Sequence, residues 1–122
     1  MTHADLIMRV AASVRDAGAA ATLRHLRTTR PDMVAPDGAA IPYHETLAVF
    51  TVWAVDRLVD AGLDDIQILW HPLTDVRTPL AWWDVAALAS PRAAAAFLPS
   101  TRARPGDPVP QDPALERVLA AA

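Results

Sequence analysis

The four consecutive residues Tyr43-His44-Glu45-Thr46 form the sharpest chemical cluster of this 122-residue chain. An imidazole next to a carboxylate supplies a general acid and a general base, which makes His44 and Glu45 the candidate catalytic pair. The cluster directly precedes a long apolar run, so it falls where a helix begins. Free backbone N–H groups and the positive end of the helix dipole lie at such a place and favour a ligand carboxylate. Tyr43 and Thr46 then become candidate substrate contacts. A plainer use of the same residues is to compensate the helix N-terminus with Glu45 and Thr46 while His44 stays half exposed.

A second cluster runs from Trp70-His71-Pro72 through Arg77 to Trp82-Trp83 and holds three of the four tryptophans. Indole rings give broad apolar contact with a single hydrogen-bond donor, and a guanidinium pairs with carboxylates, a combination suited to a groove for a peptide or ring system. Trp70, His71, Arg77, Trp82 and Trp83 are therefore candidate substrate-binding residues. Core packing is the alternative for each tryptophan taken singly. Neighbouring residues on a helix point about 100° apart, so Trp82 and Trp83 are not expected to share one core, and at least one should reach a surface, an interface or a pocket.

Other chemistries find no support. The chain has no cysteine, which removes disulfides, thiolate nucleophiles and thiolate metal sites together. His44-Glu45 lacks the second histidine of a zinc-protease helix, and His3 and His25 have no ligand-like spacing, so no metal is expected. There is no nucleophilic serine elbow and no glycine-rich phosphate loop, and no cofactor is expected.

All eleven basic residues are arginine, and lysine and asparagine are absent. Codon usage in a GC-rich genome produces that pattern. An enzyme handling an electrophilic alkene would also gain from carrying no lysine or cysteine of its own. A net charge of −3 with scattered arginines argues against a general nucleic-acid binder, which needs a net basic face. Asp and Arg interrupt every apolar run before it reaches membrane-spanning length, and the N-terminus lacks a secretory pattern, so a cytoplasmic location is expected.

The elements that must position these residues read as helices. The first runs from about Ala4 to Ala17, with Thr2 as N-cap, Asp5 in the first turn and Gly18 as the stop. A second, about Ala19 to Thr29, turns Leu23 and Leu26 inward and ends before Pro31. Pro31 to Pro42 reads as a loop. The third helix, about His44 to Ala61, is apolar round most of its circumference and belongs at the centre of the molecule or in a subunit interface. Asp64 to Trp70 fits two more helical turns or, from its alternation, a strand; helix is preferred because no partner strand is visible. Thr78-Pro79 and Ser90-Pro91 each pair a capping residue with a first-turn proline. Short helices should follow them, one carrying Leu80, Trp82 and Trp83 and the other Ala93 to Leu98. Prolines then crowd Pro99 to Pro113, an extended arm, before Asp112-Pro113 opens a last helix with Leu115, Val118 and Leu119.

The fold expected is all-α: a helical core over residues 1–98, with a hydrophobic central helix, and an arm and C-terminal helix over 99–122 that belong to the same fold. An apolar helix on a long tether docks on its own core or on a neighbour's, so an intertwined homodimer is expected.

Two resemblances accompany this reading. Thr2-His3-Ala4-Asp5-Leu6 to Gly18, the Tyr43-His44-Glu45-Thr46-Leu47 helix start, His71-Pro72 and Ser90-Pro91-Arg92-Ala93 resemble, in that order, a family of small bacterial proteins of unassigned activity with a Tyr-His-Glu-Thr helix start. That resemblance implies a helical fold and marks His44 and Glu45 without supplying a reaction. In size, helical content and the Tyr43/His44/Trp70/His71 region the chain also resembles the lysinoalanine synthases of the cinnamycin and duramycin lanthipeptide pathways. The implied substrate is a modified, cyclised precursor peptide, and the implied reaction adds a lysine amine to a dehydroalanine. Such an addition needs a neutral amine, a base and an alkene held within reach, and ordering the peptide supplies part of the barrier. The base would be His44, Glu45 or a carboxylate of the substrate. Two further readings stand beside it: a small-molecule acid/base enzyme or isomerase using His44 and Glu45, and a non-catalytic binding or accessory protein.

Overall fold

The computed structural model describes residues 2–102 and residue 118. The chain opens with α1, His3–Ala17, and the expected cap is present: Thr2 and Asp5 form a reciprocal capping box. Gly18 follows at φ 88°, a conformation that suits glycine and lets α2, Ala19–Thr29, fold back along α1. Leu6, Ile7, Val10 and Val14 of α1 and Leu23 and Leu26 of α2 point into the core.

The Pro31–Pro42 stretch, expected as a loop, instead contains a small hairpin. Strand β1, Met33–Val34, pairs antiparallel with β2, Ala40–Ile41, in the register Met33 to Ile41 and Val34 to Ala40. Asp37 makes the turn possible by accepting the Ala39 N–H at 2.9 Å, with Gly38 at φ 90°. Strands of two residues carry no periodicity, so only the turn residues could have signalled them.

Helix α3, Glu45–Asp60, is the axis of the molecule. Every residue from Glu45 to Val55 is buried, covered by α1 and α2 and by elements that come later in the same chain. Over Glu45 to Val55 its apolar circumference is thus covered within one chain, while Arg57 and Asp60 near its C-terminal end are exposed. Phe50 lies at the centre of an aromatic cluster, with ring centroids 5.5 Å from Trp53, 5.5 Å from Trp82 and 5.7 Å from Trp83.

Beyond Gly62 the elements shorten. Helix α4, Asp65–Leu69, is closed at its start by an Asp64/Gln67 capping box, which settles the helix-or-strand choice for this segment. A 3₁₀ turn over Pro72–Thr74 follows, then another over Thr78–Ala81. This second turn corrects the helix expected to carry the tryptophan pair: Trp82 ends the turn and Trp83 lies outside it. Helical spacing does not apply there, and both indoles face Phe50, Trp83 completely buried and Trp82 partly. Helix α5, Val85–Leu88, was not foreseen, and α6 spans Pro91–Ala95 rather than reaching Leu98.

The first residues of the arm are strapped down. The Trp82 carbonyl accepts the N–H groups of Thr101 and Arg102 at 2.9 and 2.8 Å and the Ser100 hydroxyl at 2.7 Å. The rest of the proline-rich arm and Leu115 and Leu119 of the last helix lie outside the described residues. Val118 is helical and fully buried in this chain's own core. The molecule is a small, mostly helical domain, and no helix among the described residues is long and apolar enough to cross a membrane.

Candidate functional site

Tyr43, His44, Glu45 and Thr46 are all buried; Tyr43 is bonded to Glu45, and His44, Glu45 and Thr46 are each fastened to a different part of the molecule. His44 is the N-cap of α3: its Nδ1 accepts the Leu47 N–H at 3.2 Å. A nitrogen facing a backbone donor carries no proton, so the proton resides on Nε2, which donates to the Leu88 carbonyl at 2.7 Å. Both ring nitrogens are therefore engaged, one in starting α3 and the other in tethering the end of α5.

Glu45 turns the opposite way. Its Oε2 receives Nε and Nη2 of Arg27 on α2, at 2.9 and 2.6 Å, and its Oε1 receives the Tyr43 hydroxyl at 2.6 Å. Burial first, and then the hydrogen bond to the Glu45 carboxylate, push the Tyr43 phenol well above the ordinary tyrosine range. The same carboxylate raises the Arg27 guanidinium further above its usual value. Arg30, left-handed at φ 46° where it ends α2, places its guanidinium 4.8 Å from the centre of the Tyr43 ring, adding a cation–π contact.

Thr46 fastens α6. Its hydroxyl donates to the Ala93 carbonyl at 2.7 Å, with the Ala96 carbonyl at 3.1 Å sharing the proton, and it accepts the Leu98 N–H at 3.0 Å. One short peptide thus starts the central helix and holds α2, α5 and α6 against it.

These attachments enclose a groove of about 490 Å³, within the roughly 300–1,000 Å³ of sites that accept small molecules. One wall is the hairpin, with Ala35, Pro36, Asp37, Ala39, Ile41 and Pro42. Tyr43, His44 and Leu47 contribute from the start of α3, and Leu80, Val85, Leu88, Ala89, Ser90, Pro91 and Ala94 form the other side. Most polar side chains along it are already committed. Besides Tyr43 and His44, Asp37 binds the hairpin turn, and Ser90 donates to the Ala87 carbonyl while capping α6. What the groove presents to a ligand is chiefly hydrocarbon.

The nine residues singled out from the sequence do not assemble into one site. Tyr43 and His44 line the groove, whereas Glu45 and Thr46 act behind it. Trp82 and Trp83 belong to the aromatic core, where the Trp83 indole N–H donates to the Leu98 carbonyl at 2.8 Å. Trp70 stands 80% exposed at the end of α4. His71 caps the first 3₁₀ turn by accepting the Leu73 N–H at 3.0 Å, and Arg77 is exposed at the start of the second. None of these last three lines the groove.

Sequence reasoning missed Arg27, the partner that fixes Glu45, and the apolar lining from Ile41, Leu80, Val85, Leu88 and Pro91. Helix α2 marks Arg27 only as one of its two arginines. It also passed over His3, whose Nε2 lies 2.7 Å from the Thr74 carbonyl and ties α1 to the first 3₁₀ turn. Among the described residues no group of His, Asp or Glu is arranged to hold a metal ion. Compared with known proteins, the chain matches no family model, no curated protein and no solved structure.

Proposed function

We propose that the chain is a binding protein for an uncharged, apolar ligand, either a small molecule or a nonpolar peptide segment, held in the groove between the hairpin and α5–α6. The observation that carries this reading is the contrast between the lining and its polar groups: hydrocarbon faces the groove, Tyr43, His44 and Ser90 spend their hydrogen bonds on the protein itself, and Asp37 stands at the exposed hairpin turn. Such a surface gains free energy by removing apolar area from water. An acid/base enzyme built on His44 and Glu45 would have to break the α3 cap or the Arg27 ion pair to free either group.

The lysine-to-dehydroalanine reaction enters as a narrower form of the same proposal. The groove supports its positioning half, since an apolar stretch of a modified peptide would be held there. The base would then come from the peptide substrate. Both forms share one first experiment, a fluorescence titration with the neutral apolar probe N-phenyl-1-naphthylamine. Saturable binding is expected, weakened tenfold or more by Val85→Glu, which puts a charge on a rim residue that is 69% exposed and so leaves the fold intact. Absence of saturable binding, or indifference to Val85→Glu, would reject the groove as the site. The narrower form is then tested by thiol trapping of unreacted dehydroalanine in a lanthionine peptide incubated with the protein.

A further inference from the structure

Helix α4 buries one side and leaves the other bare. Ile68 is fully buried, while Ile66 is 65% and Trp70 is 80% exposed. The Trp70 N–H donates to the Ile66 carbonyl at 3.1 Å, so these two side chains sit one helical turn apart on the same face. The face is rigid. Its N-terminus is closed by the Asp64/Gln67 capping box, and Arg15 of α1 holds it from beside by pairing with Asp65 and donating to the Leu63 carbonyl. An indole kept in water on a fixed element is the kind of side chain that anchors a protein contact.

The surroundings say what would cover it. Ile66 borders a shallow hollow formed with Leu63, Asp64 and Asp65. Between Arg57 and Arg77 the chain carries Asp60, Asp64, Asp65 and Asp75 and no further arginine or lysine. Arg15, the cation at the edge of the hollow, is already held by Asp65. A second copy of the chain would bring the same acidic face, and like charges across an isologous contact repel.

We propose that the Ile66–Trp70 face docks a basic, apolar peptide segment of another protein. Its apolar side chains pack on Leu63 and Ile66, one lysine or arginine lies over the Trp70 indole in a cation–π contact, and another faces Asp64 at the start of the helix. A face this small makes a weak, transient contact. It is separate from the groove and does not depend on the ligand held there.

The probe is an acetylated and amidated octapeptide of alternating arginine and leucine, with its glutamate-for-arginine counterpart as control. Both are titrated while the indole N–H signals are followed by NMR, the Trp70 signal being assigned with Trp70→Phe. The arginine peptide should shift the Trp70 signal saturably, and Trp70→Ala and Ile66→Ala should each weaken binding about tenfold. Asp64→Asn combined with Asp60→Asn should flatten the salt dependence. Equal shifts with the glutamate peptide, an unmoved Trp70 signal, or unchanged affinity of Trp70→Ala would overturn the proposal. Sedimentation showing a dimer that Trp70→Ala abolishes would also overturn it, assigning the face to a second copy instead.

Discussion

The first sixty residues and the forty that follow are built on different principles. Helices α1, α2 and α3 are long, amphipathic or wholly apolar, and pack through side-chain stripes. From α4 onward the helices are four or five residues long, too short to be stable alone. They keep their shape through side chains that reach backbone groups: His44 to the Leu88 carbonyl, Thr46 to the Ala93 carbonyl, Trp83 to the Leu98 carbonyl. The contrast teaches where the groove comes from. Its α5–α6 wall is an irregular layer hung on the N-terminal turn of the central helix, so residues that look catalytic by type are the ones that suspend it.

The largest expected effect comes from Phe50, where the two regions meet ring against ring. Phe50→Ala should cost about 3–5 kcal/mol, the range for truncating a buried aromatic. If the regions share one core, chemical denaturation will stay a single transition. Two separated transitions would show that the irregular layer melts by itself.

Next is the ion pair inside the helical region. Arg27→Met leaves the Glu45 carboxylate buried beside Tyr43 without its cation, and breaking a buried pair in this way costs roughly 3–5 kcal/mol. The Arg27 side chain is 27% exposed, so solvent returns part of the loss and about 2–3 kcal/mol is expected from the midpoint of urea unfolding. The charge-neutral double variant Arg27→Met with Glu45→Leu should recover much of it. A double variant as unstable as the single one would mean that packing, not charge, is what Arg27 supplies.

Thr46→Val tests the suspended layer directly. It keeps the shape while stranding the Ala93 carbonyl and the Leu98 N–H, at about 1–3 kcal/mol. Hydrogen exchange should quicken in α6 and around Leu98 while the middle of α1 keeps its protection. Uniform loss of protection would break the distinction between the two regions.

Legibility follows the same division. Thr2, Gly18 and Pro31 mark the ends of the first two helices, and the apolar circumference of the helix expected over about His44 to Ala61 correctly marked a central element. These signals are local, and chain geometry forces them. The short elements carry too few residues for a period to show, so the helix expected to carry Trp82 and Trp83 is a 3₁₀ turn that ends at Trp82. The site was legible as a location and not as a mechanism. Tyr43 and His44 do line the groove, yet the groups that occupy their polar atoms, Glu45, Leu47 and Leu88, are decided by tertiary packing. Trp70 was marked as a contact residue by type alone, and its exposure depends on which side of α4 meets α1.

The smallest effect at neutral pH, and the sharpest test of how tightly the start of α3 is packed, concerns Tyr43. Its phenol is raised in the folded chain, by burial first and then by the hydrogen bond to Glu45. The unfolded chain, with a phenol near the usual value of about 10, therefore releases its proton first as pH rises. The folded state binds more protons in that window, so stability falls with increasing pH. The stabilisation is fully present below about pH 10 and is lost progressively above it. Tyr43→Phe should change stability by only about 0.5–1.5 kcal/mol at pH 7, the net worth of a hydrogen bond. Between about pH 10 and 11.5 its urea midpoint should fall less steeply than that of the wild type. Because the chain has no lysine and no other tyrosine, the difference between the two slopes belongs to this phenol. Parallel slopes would mean that Tyr43 ionises as freely in the folded protein as in the unfolded one, and the close packing of Tyr43 on Glu45 would have to be abandoned.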